Sequence, residues 1–291
     1  MKNLETSKAV VFGSSGMLGT DLLRTLGQKS ITTKGFNRTN FDIGMTPDQI
    51  AREIDGSQIV INALAYTNVD AAEANEDLAN EVNGFFVGRL SEACQKAEVK
   101  LFHISTDYVF DGSSKIPYSV EDKTNPQTAY GRSKLLGEEA ILATSANSSI
   151  FRTSWLYGSS GRSFPSTIGK RFLAGERIEV VDDQVGSPTW TRDLASYLVR
   201  YLSVEKTPRI IHANSTGACS WFEFAQRVAS SMNLDSEVHV QRTSSSHFAT
   251  RAQRPAFSVL NNSEGPLDPI ARWDKRWLEA ESVMLAALQH I

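Results

Sequence analysis

The segment AVVFGSSGMLGTDLLRTL, residues 9–26, decides the fold class. Its first four residues are apolar and predict a buried strand, and the leucines that follow the glycines recur at helical spacing. Gly13 permits a tight turn, Gly16 lets a pyrophosphate approach the backbone, and Gly19 lets the helix pack closely on the strand. Because the first N–H groups of such a helix bind phosphate, the segment predicts a dinucleotide site rather than a plain glycine turn.

Short apolar segments alternate with longer amphipathic segments through the first half of the chain. The predicted strands are residues 9–12, 31–36, 59–65, 100–106 and 149–154. The predicted helices are residues 17–26, 82–95 and 129–143. Repeated strand–helix–strand order indicates an α/β fold, a Rossmann-type doubly wound parallel sheet with helices on both faces.

The second half of the chain is less regular. Several prolines and the serine run at residues 244–246 predict loops there. We expect an NAD(P)-binding Rossmann domain over residues 1–155, which the chain rejoins at about residues 190–215. Residues 156–291 should form mainly a smaller C-terminal lobe that binds substrate.

Composition excludes several classes of protein. The net charge of −3 argues against a general nucleic-acid-binding role, which would favour a basic face. Cys94, Cys219 and the five histidines, His290 among them, stand at no metal-ligand spacing, so we expect no structural metal and inert thiols in a reducing compartment. Residues 1–7 show no secretory pattern, and no run approaches the roughly 18 apolar residues that cross a bilayer. We therefore expect a cytoplasmic protein without a membrane partner.

The end of the second predicted strand bears on the choice of cofactor. It reads GFNR, residues 35–38, without the acidic residue that would bind a ribose 2′-hydroxyl. Arg38 could instead pair with a 2′-phosphate, which favours NADPH. A solvated surface arginine, with NADH as the cofactor, is the open alternative.

Three residues predict the chemistry. Tyr130 and Lys134 stand at i and i+4, on one face of the predicted helix, where an ammonium would stabilise the phenolate and help proton transfer. Such a pair also arises by chance in helices. Thr106 ends a predicted strand, at the carboxyl edge of the sheet where open α/β folds bind ligands. Thr106, Tyr130 and Lys134 are therefore the candidate catalytic residues.

These motifs resemble the dTDP-4-dehydrorhamnose reductase family, which lies within the extended short-chain dehydrogenases/reductases. The Gly-x-x-Gly-x-x-Gly spacing is typical of that superfamily. The resemblance extends over nearly the whole chain. The other matching segments are NALAYTNVD at residues 62–70, STDYVFDG at residues 105–112, YGRSKLLGE at residues 130–138, RTSWLY at residues 152–157, DQVGSP at residues 183–188 and RPAFSVL at residues 254–260.

The resemblance implies two sets of binding residues beyond the catalytic three. Those implied for the cofactor are Gly13, Ser15, Gly16, Met17, Leu18, Gly19, Asn37, Arg38, Asp42, Ile43, Ala63, Leu64, Ala65, Tyr66, Asn83, Tyr130 and Lys134. Those implied for the substrate are Thr106, Asp107, Tyr108, Trp155, Gln184 and Arg254. Trp155 could instead be a core aromatic residue and Arg254 a surface residue, although a guanidinium suits a diphosphate.

The implied reaction is the NAD(P)H-dependent reduction of the C4 keto group of dTDP-4-dehydro-β-L-rhamnose, with Tyr130 as the general acid. A reductase or epimerase of another nucleotide-keto-sugar remains open, and so does a non-catalytic NADP-binding regulatory subunit like that of methionine adenosyltransferase. The resemblance leaves room for a homodimer and for a magnesium ion held by glutamates between subunits. A full set of such glutamates cannot be placed. Val120 and Ser163 also depart from the residues common in the family.

Overall fold

The computed structural model describes residues 8–144, 147–248 and 250–288. Residues 1–7, expected to carry no secretory signal, and His290, expected to bind no metal, lie outside that part. The strands are β1 Lys8–Phe12, β2 Thr32–Phe36, β3 Ile59–Asn62, β4 Lys100–Thr106, β5 Ser148–Thr153, β6 Leu156–Tyr157, β7 Ile178–Val181, β8 Val185–Gly186, β9 Thr189–Trp190, β10 Ile210–His212, β11 Cys219–Ser220 and β12 Val240–Thr243. The helices are α1 Met17–Gln28, α2 Pro47–Ile54, α3 Val69–Ala72, α4 Glu76–Asn80, α5 Phe86–Lys96, α6 Ala129–Ala143, α7 Phe164–Leu173, α8 Thr191–Tyr201, α9 Trp221–Ser231, α10 Ser236–His239 and α11 Trp273–Leu288.

Six of these strands form one parallel sheet in the order β10-β5-β4-β3-β1-β2. The predicted doubly wound α/β fold is therefore confirmed. Because every strand of the sheet runs the same way, the segments that follow β1, β3 and β4 all leave from one edge. That edge is where the candidate site lies.

The largest differences between the structure and the predicted elements are in three places. The predicted strand 59–65 ends at Asn62, because the N–H of Leu64 donates to the side chain of Asn62 and leaves the ladder. The predicted helix 82–95 follows α4 without a break, through a π-helical turn at Glu81–Phe85. Helix α2 was not predicted at all, although Thr46 caps it and a proline opens it.

The part of the chain expected to be irregular holds more structure than its prolines suggested. Residues 245–247, in the predicted serine loop, form a short 3-10 turn. Helix α8 packs against α1, and β10 joins the edge of the large sheet. Helices α7, α9 and α11 surround a separate apolar cluster that includes Tyr157 and Trp277. None of the described helices is long and apolar enough to cross a membrane.

The separate cluster depends on Trp277, which is fully buried and whose indole N–H donates to the Ser231 hydroxyl at 2.9 Å. Trp277→Ala should lower the free energy of unfolding by about 3–5 kcal/mol, because it removes a large buried ring and leaves a cavity. Leu278→Ala is the matched control: Leu278 is 55% exposed, and its loss should cost no more than about 0.5 kcal/mol. Urea unfolding followed by circular dichroism measures both. Equal losses would contradict this packing.

Candidate active site

The glycine turn after β1 is held by backbone contacts that leave no room for a side chain. Gly13 has a φ of +78°, and its N–H donates to the carbonyl of Phe36 at 2.9 Å. A Cβ atom at Gly19 would lie 2.1 Å from the Gly13 carbonyl oxygen, and one at Gly13 would lie 2.7 Å from the Leu64 nitrogen. Any larger residue would therefore push α1 away from the turn or the turn away from β3.

The N-terminus of α1 is open to an anion. Its N-cap, Gly16, has no side-chain cap, and the first turn of the helix carries no acidic residue. Ser15 and Gly16 are exposed, Met17 is half-buried, and Leu18 and Gly19 are buried. The first N–H groups and the positive end of the helix dipole are thus available to a pyrophosphate. This turn fits a dinucleotide.

The four residues expected at the nucleoside lie beside the end of β2. The side chain of Asn37 accepts hydrogen bonds from Thr39, and that of Asp42 accepts one from a backbone N–H. Ile43 is half-buried, and its carbonyl accepts from a guanidinium. Arg38 is exposed, and no ion pair or hydrogen bond joins it to the rest of the described chain. It is therefore available to a phosphate.

The segment after β3, residues 63–66, is fixed by a buried amide. The side chain of Asn83 accepts from the N–H of Tyr66 at 2.8 Å and donates to its carbonyl at 3.0 Å. The same amide donates to the Ser133 hydroxyl at 2.9 Å, and Ser133 donates to the carbonyl of Tyr130 at 2.8 Å. Asn83 thus ties Tyr66, which follows Ala63, Leu64 and Ala65, to the helix that carries the candidate acid.

Thr106 and Tyr130 meet through their hydroxyl groups. Burial raises the pKa of Tyr130 to about 12, and the hydrogen bond from Thr106 opposes that shift. The Tyr130 ring also packs edge-on against Tyr108, with centroids 5.8 Å apart. The structure therefore brings together a strand-end hydroxyl and a phenol that stays protonated at neutral pH.

Lys134 lies beneath this pair, with only 1% of its surface exposed. Its Nζ donates to the carbonyl of Ile104 at 2.6 Å and lies 3.3 Å from Nε2 of His103. Burial lowers the pKa of Lys134 to about 8, and the negative charge of Glu138 opposes that shift. The contacts of Lys134 in this structure are thus with β4 and not with the Tyr130 phenol.

Sequence reasoning missed the groups that support Lys134. Glu138 forms a buried, bidentate ion pair with Arg152, in which the shorter contact is 2.7 Å, and it accepts from Ser105 at 2.5 Å. His103 is fully buried in the middle of β4. The available signal in the sequence was His103, a polar residue inside a strand that is covered on both faces. Such a residue indicates further buried polar groups, because buried polar groups need hydrogen-bonding partners.

The residues expected at the substrate fall into two places. Asp107 accepts from Thr106 at 3.0 Å, and burial raises its pKa to about 7. Arg254 reaches the same region, hydrogen-bonds to Tyr108 and forms an ion pair with Asp70 at 2.6 Å. Arg254, which was predicted to bind the diphosphate of the substrate, is therefore already paired with a carboxylate in this structure.

Trp155 and Gln184 lie on the side of the separate cluster. The Trp155 ring stacks on Trp221 with centroids 3.4 Å apart, and it covers Gly186, where a Cβ atom would lie 2.3 Å from the indole. Trp155 is half-buried, with a φ of +47° that non-glycine residues rarely adopt. Gln184 is half-buried between β7 and β8. Among the described residues, no three His, Cys, Asp or Glu side chains are grouped so that they could hold a metal ion.

Comparisons with known proteins give the family. The model of the RmlD substrate binding domain matches residues 7–286. A dTDP-4-dehydrorhamnose reductase of Mycolicibacterium smegmatis is 35% identical over 96% of this chain and 86% of its own. A probable dTDP-4,6-dihydroxy-2-methyloxan-3-one 4-ketoreductase of Streptomyces antibioticus is 36% identical over 96% of each chain.

The solved structures agree. A dTDP-4-dehydrorhamnose reductase of Bacillus anthracis in complex with NADP superimposes with a TM-score of 0.90. It is 31% identical and covers 94% of this chain and 98% of its own. The family and the oxidoreductase class that the motifs predicted are thus confirmed. This chain belongs to the dTDP-4-dehydrorhamnose reductase family.

Proposed function

We propose that this protein reduces the C4 keto group of dTDP-4-dehydro-β-L-rhamnose to give dTDP-β-L-rhamnose, with NADPH as the cofactor. One observation carries the proposal. The Tyr130 phenol, in hydrogen-bond contact with Thr106, lies at the sheet edge from which the open glycine turn also leaves. A proton donor and a dinucleotide site on one edge are what a carbonyl reductase needs.

The chain's own residues supply the proton and the alignment. When bound, the dinucleotide supplies the hydride. Tyr130 is protonated at neutral pH, because burial raises its pKa to about 12, so it can donate a proton to the oxygen of a carbonyl as that oxygen gains negative charge. The Thr106 hydroxyl holds that oxygen beside the phenol. Lys134 lies one helical turn from Tyr130 and is the residue that would contact the nicotinamide ribose.

The substrate diphosphate is assigned to Arg254. Its partner Asp70 is 41% exposed in its side chain, and an ion pair at such a position contributes little free energy. A diphosphate can therefore replace Asp70 as the partner of the guanidinium at small cost. We assign the sugar to Asp107, Tyr108 and Trp155, and we place Gln184 at its outer side.

A second candidate function is supported by a separate observation. The Streptomyces antibioticus relative is named for the reduction of a different dTDP-linked keto sugar, at an identity no lower than that of the rhamnose enzymes. The catalytic groups would serve both substrates. A panel of nucleotide-keto-sugars distinguishes the two, and the preferred substrate is expected to be the rhamnose precursor. The presence of Thr106, Tyr130 and Lys134 together disfavours a non-catalytic regulatory subunit.

Other expectations stay predictions. They are the division into residues 1–155 and 156–291 with a return at about 190–215, a homodimer, a magnesium ion between subunits and a cytoplasmic location. The separate apolar cluster around Trp277 supports the division into two parts. A lobe that has its own hydrophobic core can pack against the sheet domain without sharing the core of that domain.

The proton donor is tested by Tyr130→Phe. With dTDP-4-dehydrorhamnose, this change should lower kcat by at least about a hundredfold, because it removes the proton but keeps the ring. The dissociation constant for NADPH should stay within about twofold of that of the unmodified protein. Tyr197→Phe is the control, since Tyr197 is a buried tyrosine of α8 whose hydroxyl contacts that of Tyr201. NADPH absorbance measures turnover, and normal turnover by Tyr130→Phe would remove Tyr130 as the acid.

The cofactor preference is tested by Arg38→Ala. Affinity for NADPH should fall about tenfold, equivalent to about 1.4 kcal/mol, because an exposed charge contact to the 2′-phosphate is lost. Affinity for NADH should not change. Arg52→Ala, an exposed arginine of α2, serves as the control. Fluorescence titration measures both affinities, and a parallel loss for NADPH and NADH would reject the assignment of Arg38.

A further inference from the structure

A line of buried polar contacts runs from β3 through β4 to Lys134. The N–H of Leu64 donates to Oδ1 of Asn62 at 3.1 Å, and Nδ2 of Asn62 lies 3.1 Å from Nδ1 of His103. Nε2 of His103 lies 3.3 Å from Nζ of Lys134. Asn62 and His103 are fully buried, and they are direct neighbours on adjacent strands.

These contacts fix where the protons lie. Because Oδ1 of Asn62 accepts from a backbone N–H, the other end of its amide is an NH₂ group, which can only donate to His103. Nδ1 of His103 is therefore the acceptor nitrogen, and a neutral imidazole must then carry its proton on Nε2. Burial lowers the pKa of His103 well below its usual value, and a charged Lys134 lowers it further, so the ring is neutral whichever form Lys134 takes.

The assigned proton on Nε2 points at Lys134. An ammonium has three donor hydrogens and no lone pair, so it cannot accept from Nε2–H. A neutral amine can accept from His103 and still donate to the carbonyl of Ile104. The other charged or titratable groups around Lys134 are Glu138 and Tyr130 on its own helix and Arg152 on β5, which forms an ion pair with Glu138.

 The Arg152 guanidinium offsets part of the charge of Glu138, so this carboxylate stabilises an ammonium at Lys134 less than an unpaired carboxylate would.

We propose that His103 is a positioning residue that favours the neutral amine of Lys134 in the free protein, and that at alkaline pH Lys134 takes up a proton from solvent when the dinucleotide binds. A bound ribose offers hydroxyl oxygens that accept from an ammonium, and the phosphates add negative charge, so binding favours the charged form. The identity of the dinucleotide rests on the proposed function. The lowered pKa of Lys134, about 8, agrees with the geometry.

Calorimetry tests the proton uptake. NADP⁺ binding is measured at pH 9 and pH 6.5, in pairs of buffers with different ionisation enthalpies, which gives the number of protons taken up. If binding restores an ordinary lysine pKa of about 10.4, the unmodified protein should take up about 0.9 proton at pH 9 and close to none at pH 6.5. No uptake at pH 9 would overturn the proposal.

Variants of the two buried partners locate the effect. In His103→Gln, the amide oxygen can turn to Lys134 and accept from the ammonium, so uptake at pH 9 should fall below that of the unmodified protein, although burial still lowers the pKa of Lys134. The carboxylate of Asn62→Asp cannot donate to Nδ1, so the proton of His103 can move to Nδ1 and Nε2 becomes an acceptor for the ammonium. This variant should also take up less than the unmodified protein at pH 9. The control is His212→Gln, because His212 is equally buried on β10 but bonds to the carbonyl of Asn261. Uptake by His103→Gln equal to that of the unmodified protein would also overturn the proposal.

A second readout needs neither cofactor nor turnover. Nitrogen NMR of the free protein with ¹⁵N-labelled histidine, assigned by comparison with His103→Gln, reports which ring nitrogen carries the proton. The Nε2–H tautomer is expected for His103, and the Nδ1–H tautomer would overturn the proposal even if His103→Gln failed to fold. This result is independent of the substrate: a protein with the expected tautomer that reduced no nucleotide-keto-sugar would refute the proposed function alone.

Discussion

Burying the amine of Lys134 is the constraint on which the candidate site depends. Removing an ammonium from water costs several kcal/mol unless other groups replace the water. The carbonyl of Ile104 and the carboxylate of Glu138, which Arg152 holds, offset only part of this cost, and the remainder lowers the pKa of Lys134. These partners come from β4, α6 and β5, so the three elements must pack closely for the lysine to be buried at all.

The same packing delivers the reactive groups to one edge of the sheet. Tyr130 lies one turn before Lys134 on α6, and Thr106 is the last residue of β4. The glycine turn follows β1, and residues 63–66 follow β3. Parallel strands end together, so segments that are far apart in the sequence meet without any long connection. The chemistry of the site is in this sense a consequence of the sheet.

The sequence pattern predicted the strands and helices that are determined by interactions between residues near each other in the chain. The bounds of β4 and α6 agree with the prediction to the residue, because the apolar residues Leu101, Phe102 and Ile104 mark the strand and helical spacing after a threonine cap marks the helix. Helix α2 was missed because it is short and mostly polar, although Thr46 and Pro47 mark its start.

Contacts between distant segments could not be read from the sequence. The ion pair of Asp70 with Arg254 and the contact of Asn62 with His103 each join residues on different elements, and no periodicity encodes such pairs. Trp155 was predicted to line the substrate site, but its stacking on Trp221 depends on how the second cluster packs. Predicting the three candidate catalytic residues was therefore easier than predicting the residues that support them.

The central claim is that the glycine turn, Thr106, Tyr130 and Lys134 all serve one bound dinucleotide. A crystal structure of the complex with NADP⁺ tests it most directly. The account predicts the pyrophosphate at the first N–H groups of α1 and the nicotinamide ring beside the Tyr130 hydroxyl, with Lys134 turned to the ribose. A dinucleotide bound away from the glycine turn, or a nicotinamide out of reach of Tyr130, would contradict it.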